Sequence, residues 1–399
     1  MKSLALKIQQ IEESQTLALA AKAKEMKSAG VDVASLTAGE PDFPTPAHVK
    51  MAAIRAIEED FTHYTANQGI PDLIKAVIEK FARDNDLRFS SEQVLVSCGA
   101  KHSIYNALQA ICNPGDEVVF QSPYWVSYPE MVKMVGARPV IIATTHENNF
   151  RITPRQLRKT INDKTKAFIF NSPSNPTGTV YSQGEIEELA EVIKQTGVYV
   201  ISDEIYEKVL YDGAKHFSIG SIKAIRDHVI TVNGVSKAYA MTGWRIGYLG
   251  GPKSIVEAAA KVQSQVTSNA TSVSQRAAVA ALTGPAADVE MMVSEFKRRR
   301  DFMSGELKNI NSLEFENPKG AFYLFPSVKR YIGSRVAGKV IRDDAALCDY
   351  FLGEEHVALI PGGAFGAKNY LRLSYACSMK ELEKAAHRLK TGFKKLESV

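Results

Sequence analysis

Lys237 is the residue of this chain best placed for covalent chemistry. It lies in the run NGVSKAYAMTGWR, between strand-like residues at 228–232 and 245–249. An amine between two buried strands is costly to keep charged without a partner. Such a lysine can lose its proton and form a Schiff base with an aldehyde. A single lysine is far more often a solvated surface group, so the assignment depends on the residues that accompany it.

Polar side chains follow two further strand-like runs. Asp203 and Tyr206 come directly after the apolar run 198–202, within the sequence DEIY. A carboxylate there can hold a pyridine nitrogen protonated; an N-cap aspartate and a packed tyrosine are the alternative, at about equal weight. Asn175 follows the apolar run 166–170 and stands close to two prolines, which restrict its conformations. Its amide can be aimed at a fixed acceptor, although Asn-Pro alone is typical of a turn.

A phosphate and a flat ring also have candidate partners. Gly99 and Ala100 stand where a strand-like run gives way to a helical pattern, and free backbone N–H groups at a helix start bind phosphate. Arg245 can pair with the same phosphate through two hydrogen bonds. Trp125 follows another strand-like run, so its indole can stack on a ring, with a core position as the even alternative. No GxGxxG and no Walker motif is present, which disfavours a nicotinamide- or ATP-dependent enzyme.

Together these residues supply what a pyridoxal phosphate enzyme needs: an amine for the aldehyde, a carboxylate for the pyridine nitrogen, donors for the phenolic oxygen, a phosphate cradle and a stacking ring. The fold has to bring them together. Strand-like runs alternate with helical patterns through the middle of the chain, which predicts an α/β fold with a mostly parallel sheet covered on both faces. Ligands of such sheets collect at the carboxyl ends of the strands, where these candidates fall.

The pattern changes after Pro285, where a long helix, short strands and a final amphipathic helix predict a smaller α+β domain. We therefore predict a large cofactor-binding domain at 46–285 and a small domain formed by 1–45 together with 286–399. The length of 399 residues agrees with two domains.

Composition excludes several classes of protein. Hydrophobic residues make up 45% of the chain and charged residues 23%, as in ordinary globular proteins. A net charge of +5 does not argue for nucleic acid, and the basic run at 297–300 is typical of a solvated helix face. The four cysteines have no metal or redox spacing, and no apolar run approaches the length of a membrane span. We expect a cytoplasmic protein with no metal, membrane or nucleic-acid partner.

In their joint order, the motifs GEPDF, NPTG, DEIY and SKAYAMTGWRIG resemble those of class I pyridoxal-phosphate-dependent aminotransferases. The closest similarity is to the bacterial-type aspartate aminotransferase subgroup, some of whose members also use prephenate. The resemblance runs from Gly39 to Arg372, nearly the whole chain. It implies the pyridoxal-phosphate-dependent transferase fold type I, with a seven-stranded, mostly parallel sheet in the large domain. It also implies a homodimer with shared active sites.

The resemblance assigns roles in cofactor binding. Lys237 would bind the cofactor covalently and move the substrate proton, Asp203 would pair with the pyridine nitrogen, and Asn175 and Tyr206 would donate to the phenolic oxygen. The family often carries a serine three residues before the lysine, where this chain has Gly234. The other implied cofactor contacts are Gly99, Ala100, Lys101, Trp125, Ser236 and Arg245, with Tyr64 reaching the phosphate of the neighbouring subunit.

The resemblance also assigns the substrate contacts, which are Gly39, Thr16, Lys101, Trp125, Asn175 and Arg372. Arg372 would bind the α-carboxylate, and a salt bridge at a strand rim is its plain structural alternative. Lys101 with Thr16 would bind the distal carboxylate and so select aspartate and glutamate; family members that use prephenate retain this pair. An exposed lysine in the first turn of a helix is the plain alternative for Lys101.

The reaction expected is ping-pong transfer of an amino group between aspartate or glutamate and a 2-oxo acid, with prephenate as a further acceptor. A carbon–sulfur lyase, an aminocyclopropane-carboxylate-forming enzyme and a broader-specificity aminotransferase are the alternatives on the same fold. Substrates of the two non-transferase alternatives lack a distal carboxylate, so Lys101 with Thr16 disfavours them. A non-catalytic regulator is disfavoured because the domain-like pattern starts within about 40 residues of Met1 and leaves no room for a DNA-binding segment.

Overall fold

The computed structural model describes residues 5–13, 15–336 and 338–397. The helices in chain order are α1 Leu6–Gln9, α2 Gln15–Ser28, α3 Ala47–Glu58, α4 Pro71–Asn85, α5 Ala100–Ile111, α6 Ser127–Met134, α7 Pro154–Thr160, α8 Gln183–Thr196, α9 Lys253–Val266, α10 Ser272–Thr283, α11 Ala287–Lys308, α12 Asp344–Glu354 and α13 Met379–Glu397. The strands are β1 Ala34–Ser35, β2 Val94–Ser97, β3 Glu117–Ser122, β4 Arg138–Ala143, β5 Thr165–Asn171, β6 Tyr199–Asp203, β7 Val229–Gly234, β8 Gly247–Gly250, β9 Tyr323–Leu324, β10 Arg335–Val336, β11 Lys339–Val340, β12 Val357–Ala358, β13 Ile360–Pro361 and β14 Leu371–Ser374. Among the described residues, no helix has the length and apolar character needed to traverse a lipid bilayer.

Seven strands form one sheet in the order β2-β8-β7-β6-β5-β3-β4. Strand β8 runs antiparallel to both of its neighbours, and all other pairs are parallel. Side chains of β5 alternate between two cores: Ala167 and Ile169 pack with helices α5, α6 and α9, whereas Phe168 and Phe170 pack with α7 and α8. The continuous apolar run of β5 is buried because helices cover both faces of the sheet, which confirms the predicted α/β fold.

Two details of the sheet differ from the sequence-based expectation. The sequence pattern gave no indication of β4, which is the edge strand next to β3 and buries only Ile142 fully. Its second residue is Pro139, which an edge strand tolerates because its other side needs no N–H donor. The strand expected at 245–249 begins only at Gly247. Arg245 has a left-handed φ of +56° and follows the 3-10 turn Thr242–Trp244, so its side chain leaves the sheet at this bend.

The chain after α11 packs against residues that follow β6. Strands β13, β14 and β9 form an antiparallel sheet, and the N-terminal strand β1 pairs in parallel with β12. Ala34 and Leu36 share one apolar core with Phe322, Leu373 and Leu382. The segment before residue 46 is therefore packed on the C-terminal part of the chain. The domain boundaries at 45/46 and 285/286 stay predictions.

The parallel strands end at one edge of the sheet and bring distant residues together there. Asn171 at the end of β5 lies opposite Asp203 at the end of β6, and Asp203 lies opposite Val232 of β7. The chain then runs from β7 into the segment of Lys237. At the next position, Gly247 of β8 lies against the start of helix α5. This edge is the place where a ligand can contact several elements at once.

We expect Gly247→Ala to destabilise the protein, because a Cβ there would collide with backbone atoms of Gly99 and Ala100, which cannot give way as a flexible side chain would. The free energy of unfolding should fall by about 1–3 kcal/mol. The matched control is Gly184→Ala in α8, where a Cβ meets no described atom within 4 Å. Urea unfolding of both variants is the measurement, and equal midpoints would contradict the close contact of β8 with α5.

Candidate active site

A cavity of about 460 Å³ lies at this edge of the sheet. It is enclosed by the ends of β5 and β6, the segment after β7, the starts of α5 and α6, helix α2, the 37–40 segment and the strands β9 and β14. The predicted site residues that line it are Thr16, Gly39, Ala100, Lys101, Trp125, Asn175, Asp203, Tyr206, Ser236, Lys237, Arg245 and Arg372. Residues from both ends of the chain therefore share one site.

Two predicted site residues do not line this cavity. Gly99 is the N-cap of α5 with a left-handed φ of +93°, and a Cβ on it would collide with the guanidinium of Arg245. A glycine is thus required for Arg245 to lie over the helix start. Tyr64 lies outside the cavity with 91% of its surface exposed. Its expected contact with a second subunit stays a prediction.

The Lys237 amine is held inside the cavity by main-chain and ring contacts. Its Nζ donates to the Gly39 carbonyl over 2.5 Å and lies 5.8 Å from the centre of the Tyr206 ring. Burial lowers the pKa of Lys237 to about 8; Glu40 opposes the change, and Arg372 adds to it. A substantial share of the amine is therefore neutral and nucleophilic in mildly alkaline solution.

Asp203 is the buried carboxylate of the cavity. The Tyr128 hydroxyl donates to its Oδ2 over 2.7 Å, and the Ile205 N–H donates to its Oδ1 over 3.3 Å. Asn171 fixes the same residue through a 2.9 Å hydrogen bond to its main-chain carbonyl. Burial raises the pKa of Asp203 to about 6, and the Tyr128 hydrogen bond is the strongest effect that opposes burial. A cationic N–H facing this carboxylate would therefore be strongly bound.

A buried ionic network, formed by Lys80, Asn85, Glu204, Glu207 and His216, supports the turn after β6 from behind. Lys80 makes an ion pair with Glu207, and the Asn85 amide donates to Glu204 over 2.9 Å and to Glu207 over 2.6 Å. His216 pairs with Glu204 at 2.9 Å. Burial acts to lower the pKa of His216, but Glu204 and Glu207 outweigh burial and leave the pKa raised, so the carboxylates favour the protonated imidazole.

Glu204, Glu207 and His216 are grouped within 4.8 Å, as metal ligands are. Lys80 already supplies the positive charge that a metal ion would bring. We therefore interpret the network as a structural support of the turn after β6 and not as a metal site. Because Glu204 and Glu207 are anchored on one side of the turn, Asp203 and Tyr206 are directed to the cavity on the other.

Arg372 is the buried cation on the opposite wall. It is 3% exposed and donates to the Asn175 side-chain oxygen over 3.2 Å and to the Thr37 carbonyl over 2.9 Å. Its guanidinium lies 4.5 Å from the centre of the Tyr323 ring, and the Tyr323 hydroxyl is 2.8 Å from that of Tyr206. Burial lowers the pKa of Arg372, and its Nε has no hydrogen-bond partner among the described residues. This arginine is therefore prepared for an anion.

The cavity has an excess of positive charge. Lys101, Lys237, Arg245 and Arg372 line it, and none of them forms an ion pair with a described carboxylate. Arg245 instead donates to main-chain carbonyls, and the Lys101 Nζ lies 4.8 Å from the centre of the Trp125 ring. Burial, followed by repulsion from Arg245, lowers the pKa of Lys101. Cations held together in this way favour a ligand with several negative charges.

Sequence reasoning missed four residues of the site. Tyr128, Asn171 and Tyr323 hold Asp203 and Tyr206, and the Glu40 carboxylate accepts a 2.6 Å hydrogen bond from Thr242 at the rim. Position at a strand end could have indicated Asn171. Tyr323 had no such signal, because its contact with Tyr206 spans more than a hundred residues and depends on how the C-terminal strands pack against the segment after β6.

The chain is similar to proteins of known family over nearly its whole length. The family model for aminotransferase class I and II matches residues 31–389. An aspartate aminotransferase of Bacillus sp. strain YM-2 is 46% identical, over 97% of this chain and 98% of that protein. A probable aspartate/prephenate aminotransferase of Rickettsia bellii is 45% identical, over 98% of both chains. The solved structure of Thermus thermophilus aspartate aminotransferase with maleate superposes with a TM-score of 0.93 at 43% identity, over 98% of this chain and all of the other.

The family match covers both the sheet that forms the cavity and the C-terminal strand that carries Arg372, so it includes every predicted residue of the cavity except Thr16. The similar structure confirms the predicted type I fold of pyridoxal-phosphate-dependent transferases. This chain belongs to the class I and II aminotransferase family.

Proposed function

We propose that this protein is a pyridoxal-phosphate-dependent aspartate aminotransferase, with prephenate as a second amino acceptor. The observation that carries the proposal is the group of unpaired cations around one reactive amine, with a single buried carboxylate at the base. Such a site suits a phosphate and two carboxylates at once. The similar chains are named as aspartate or aspartate/prephenate aminotransferases, and the similar structure was solved with maleate, a four-carbon dicarboxylate.

The residues present fit pyridoxal phosphate, the cofactor on which this family in general depends. Lys237 would hold its aldehyde, Asp203 its ring nitrogen, and Asn175 with Tyr206 its phenolic oxygen, while Trp125 would stack on the ring. The start of α5 and Arg245 would hold the phosphate, with Ser236 beside them. When bound, the cofactor takes up the amino group and makes the α-proton of an amino acid acidic.

The protein itself supplies proton transfer. Once its amine is free, Lys237 takes the α-proton as a base and returns it as an acid to the neighbouring carbon. A pKa near 8 suits both steps, because the neutral and the protonated amine are both well populated in mildly alkaline solution. The Gly39 carbonyl, which now accepts from the amine, keeps it directed to the cavity.

Substrate selection would come from two cations on different elements. Arg372 on β14 would bind the α-carboxylate, with the Gly39 backbone beside it. Lys101 in the first turn of α5 and Thr16 on α2 would bind the distal carboxylate. An apolar amino acid would leave the Lys101 charge without its partner, which disfavours it relative to aspartate and glutamate.

We also propose a homodimer. Helix α3 exposes Met51, Ile54 and Ile57 along one face, and Tyr64 and Val266 are exposed as well. Apolar side chains at this spacing are typical of a face that another chain covers. A second copy would let Tyr64 reach the partner's phosphate site, as the family resemblance implies. The two-domain division and a cytoplasmic location, which agrees with four unpaired cysteines, stay predictions.

Lys237 should stand out among the lysines in its reaction with aldehydes. In cofactor-free protein, labelling of Lys237 by an aldehyde and borohydride should be half-maximal near pH 8, because its pKa is lowered to about 8. A solvated lysine should reach half of its maximal reactivity only near about pH 10.4. Peptide mass spectrometry against pH is the measurement, with Lys75 on the exposed face of α4 as the internal control. Equal pH profiles for the two lysines would contradict the site geometry.

Lys237→Ala should abolish amino transfer. We expect a fall of at least about 10⁴-fold in kcat with aspartate and 2-oxoglutarate, since both the proton carrier and the covalent anchor are lost. The assay follows oxaloacetate formation and repeats the reaction with glutamate and with prephenate. Lys75→Ala serves as the control and should retain full activity.

A single half-reaction separates the transferase from the lyase. Glutamate alone should yield one equivalent of 2-oxoglutarate per active site and then stop, whereas a lyase releases ammonia and pyruvate continuously from cysteine conjugates. Sustained release of these products without an oxo acid would refute the proposed function.

Lys101→Ser should change specificity more than chemistry. We expect kcat/KM for aspartate and glutamate to fall by about 100-fold, because a desolvated ionic hydrogen bond is lost. The value for an apolar amino acid such as leucine should change by less than about fivefold, since it has no distal carboxylate. Lys101→Arg, which keeps the charge, is the matched variant. Equal losses for both substrate types would refute the assignment of Lys101 to the distal carboxylate.

A further inference from the structure

Tyr128 makes the only side-chain hydrogen bond to the Asp203 carboxylate among the described residues. Its hydroxyl lies 2.7 Å from Oδ2, and the other donor is the Ile205 main-chain N–H, at 3.3 Å from Oδ1. Burial and then Asp203 raise the pKa of Tyr128 well above its ordinary value, so the phenol keeps its proton and acts as the donor. The bond joins α6 to the end of β6 across a sequence separation of 75 residues.

The ring of Tyr128 is held as firmly as its hydroxyl. The side chain is 2% exposed. It packs edge-on against Trp125 at 5.4 Å and against Phe120 at 6.1 Å between ring centres. Tyr128 therefore contacts both Trp125 and Asp203, the two residues that the proposed function assigns to the cofactor ring. A change in its hydroxyl alone would leave the packing in place.

We propose that Tyr128 is a positioning residue that keeps Asp203 ionised and directs the carboxylate to the cofactor ring nitrogen. The inference rests on the proposed function, because it assumes a cofactor ring above Asp203. The Tyr128 hydroxyl donates to Oδ2 of Asp203 and thereby fixes the orientation of the carboxylate, which lines the cavity.

Charge at this position is finely balanced. Burial raises the pKa of Asp203 to about 6; Tyr128 and Ile205 oppose this, Glu204 adds to it, and Lys237 also opposes it. Loss of the Tyr128 donor removes the largest opposing effect. A larger fraction of Asp203 would then be protonated near neutral pH, and that fraction could not pair with a ring nitrogen as a charged group.

The test compares Tyr128→Phe with Tyr124→Phe in the full chain. Tyr124 is a suitable control because its ring also packs on Phe120, at 5.2 Å, and it lies outside the cavity lining. In the cofactor-bound protein, pyridoxal phosphate affinity should fall as the solution is acidified. We expect the midpoint of this fall to move up by about one pH unit in Tyr128→Phe, a tenfold change in the proton affinity of Asp203. Tyr124→Phe should leave it in place.

A second measurement needs no cofactor. Burial raises the pKa of Asp203 in the folded state above its value of about 3.9 in the unfolded chain. Protonated Asp203 therefore contributes fully to the free energy of unfolding below about pH 3.9, and this contribution is lost as pH rises through about 6. Tyr128→Phe should extend this loss to higher pH. In the Asp203→Asn background the same substitution should have no pH-dependent effect. Urea unfolding of the four cofactor-free proteins between pH 4 and pH 8 gives the coupling.

Incorporation of 3-fluorotyrosine at position 128 keeps both the ring and the hydroxyl, so the protein should fold even if Tyr128→Phe does not. The fluorinated phenol is a stronger O–H donor and should move the pH midpoint of cofactor binding down, opposite to the shift in Tyr128→Phe. Unchanged midpoints in Tyr128→Phe, or an equal pH effect with and without the Asp203 carboxyl, would overturn the positioning role. Failure of the unsubstituted chain to bind pyridoxal phosphate would refute the proposed function, while the cofactor-free cycle would still decide the Tyr128–Asp203 interaction.

Discussion

The repulsion among cations in one cavity is the constraint on which the rest of the structure depends. Lys101, Lys237, Arg245 and Arg372 are held there without carboxylate partners among the described residues, and burial lowers the pKa of three of them. Such an arrangement costs free energy in the unliganded protein and is stable only because the surrounding fold over-determines it. Anionic ligands relieve the repulsion, so the same interactions that oppose folding drive binding.

Hydrogen bonds and buried ion pairs of the surrounding fold hold the residues of the cavity in place despite this repulsion. Arg372 is fixed by Asn175 and the Thr37 carbonyl, so it is a preformed anion site. Behind the turn that carries Asp203, Lys80 pairs with Glu207 and His216 pairs with Glu204 in a buried network. The two faces of the turn therefore differ in role. Glu204 and Glu207 anchor the turn on one face, and the Asp203 carboxylate and the Tyr206 phenol face the ligand on the other.

The spacing of Lys237, Asp203 and Asn175 was sufficient to predict their common site, because parallel strands deliver their carboxyl ends to one edge whatever the details of packing. The same rule could not find Tyr323, which reaches the site from the second sheet. It also missed β4, since an edge strand with Pro139 and a half-exposed pattern lacks the continuous apolar run of a buried strand. Arg245 was expected within a strand, but its left-handed backbone removes it from the sheet and turns it over the start of α5.

What the sequence by itself determined was local: which residues end strands, which turns are tight, and which side chains can carry protons, charge or an aldehyde. The tertiary structure alone decided which of these meet. Tyr128 contacts Asp203, Tyr206 contacts Tyr323, and Lys237 contacts the Gly39 carbonyl only after the sheet and the N-terminal segment have packed. The physical reason is range, since hydrophobic periodicity and turn preference act over a few residues, whereas hydrogen bonds, burial and the pKa changes they cause depend on neighbours in space.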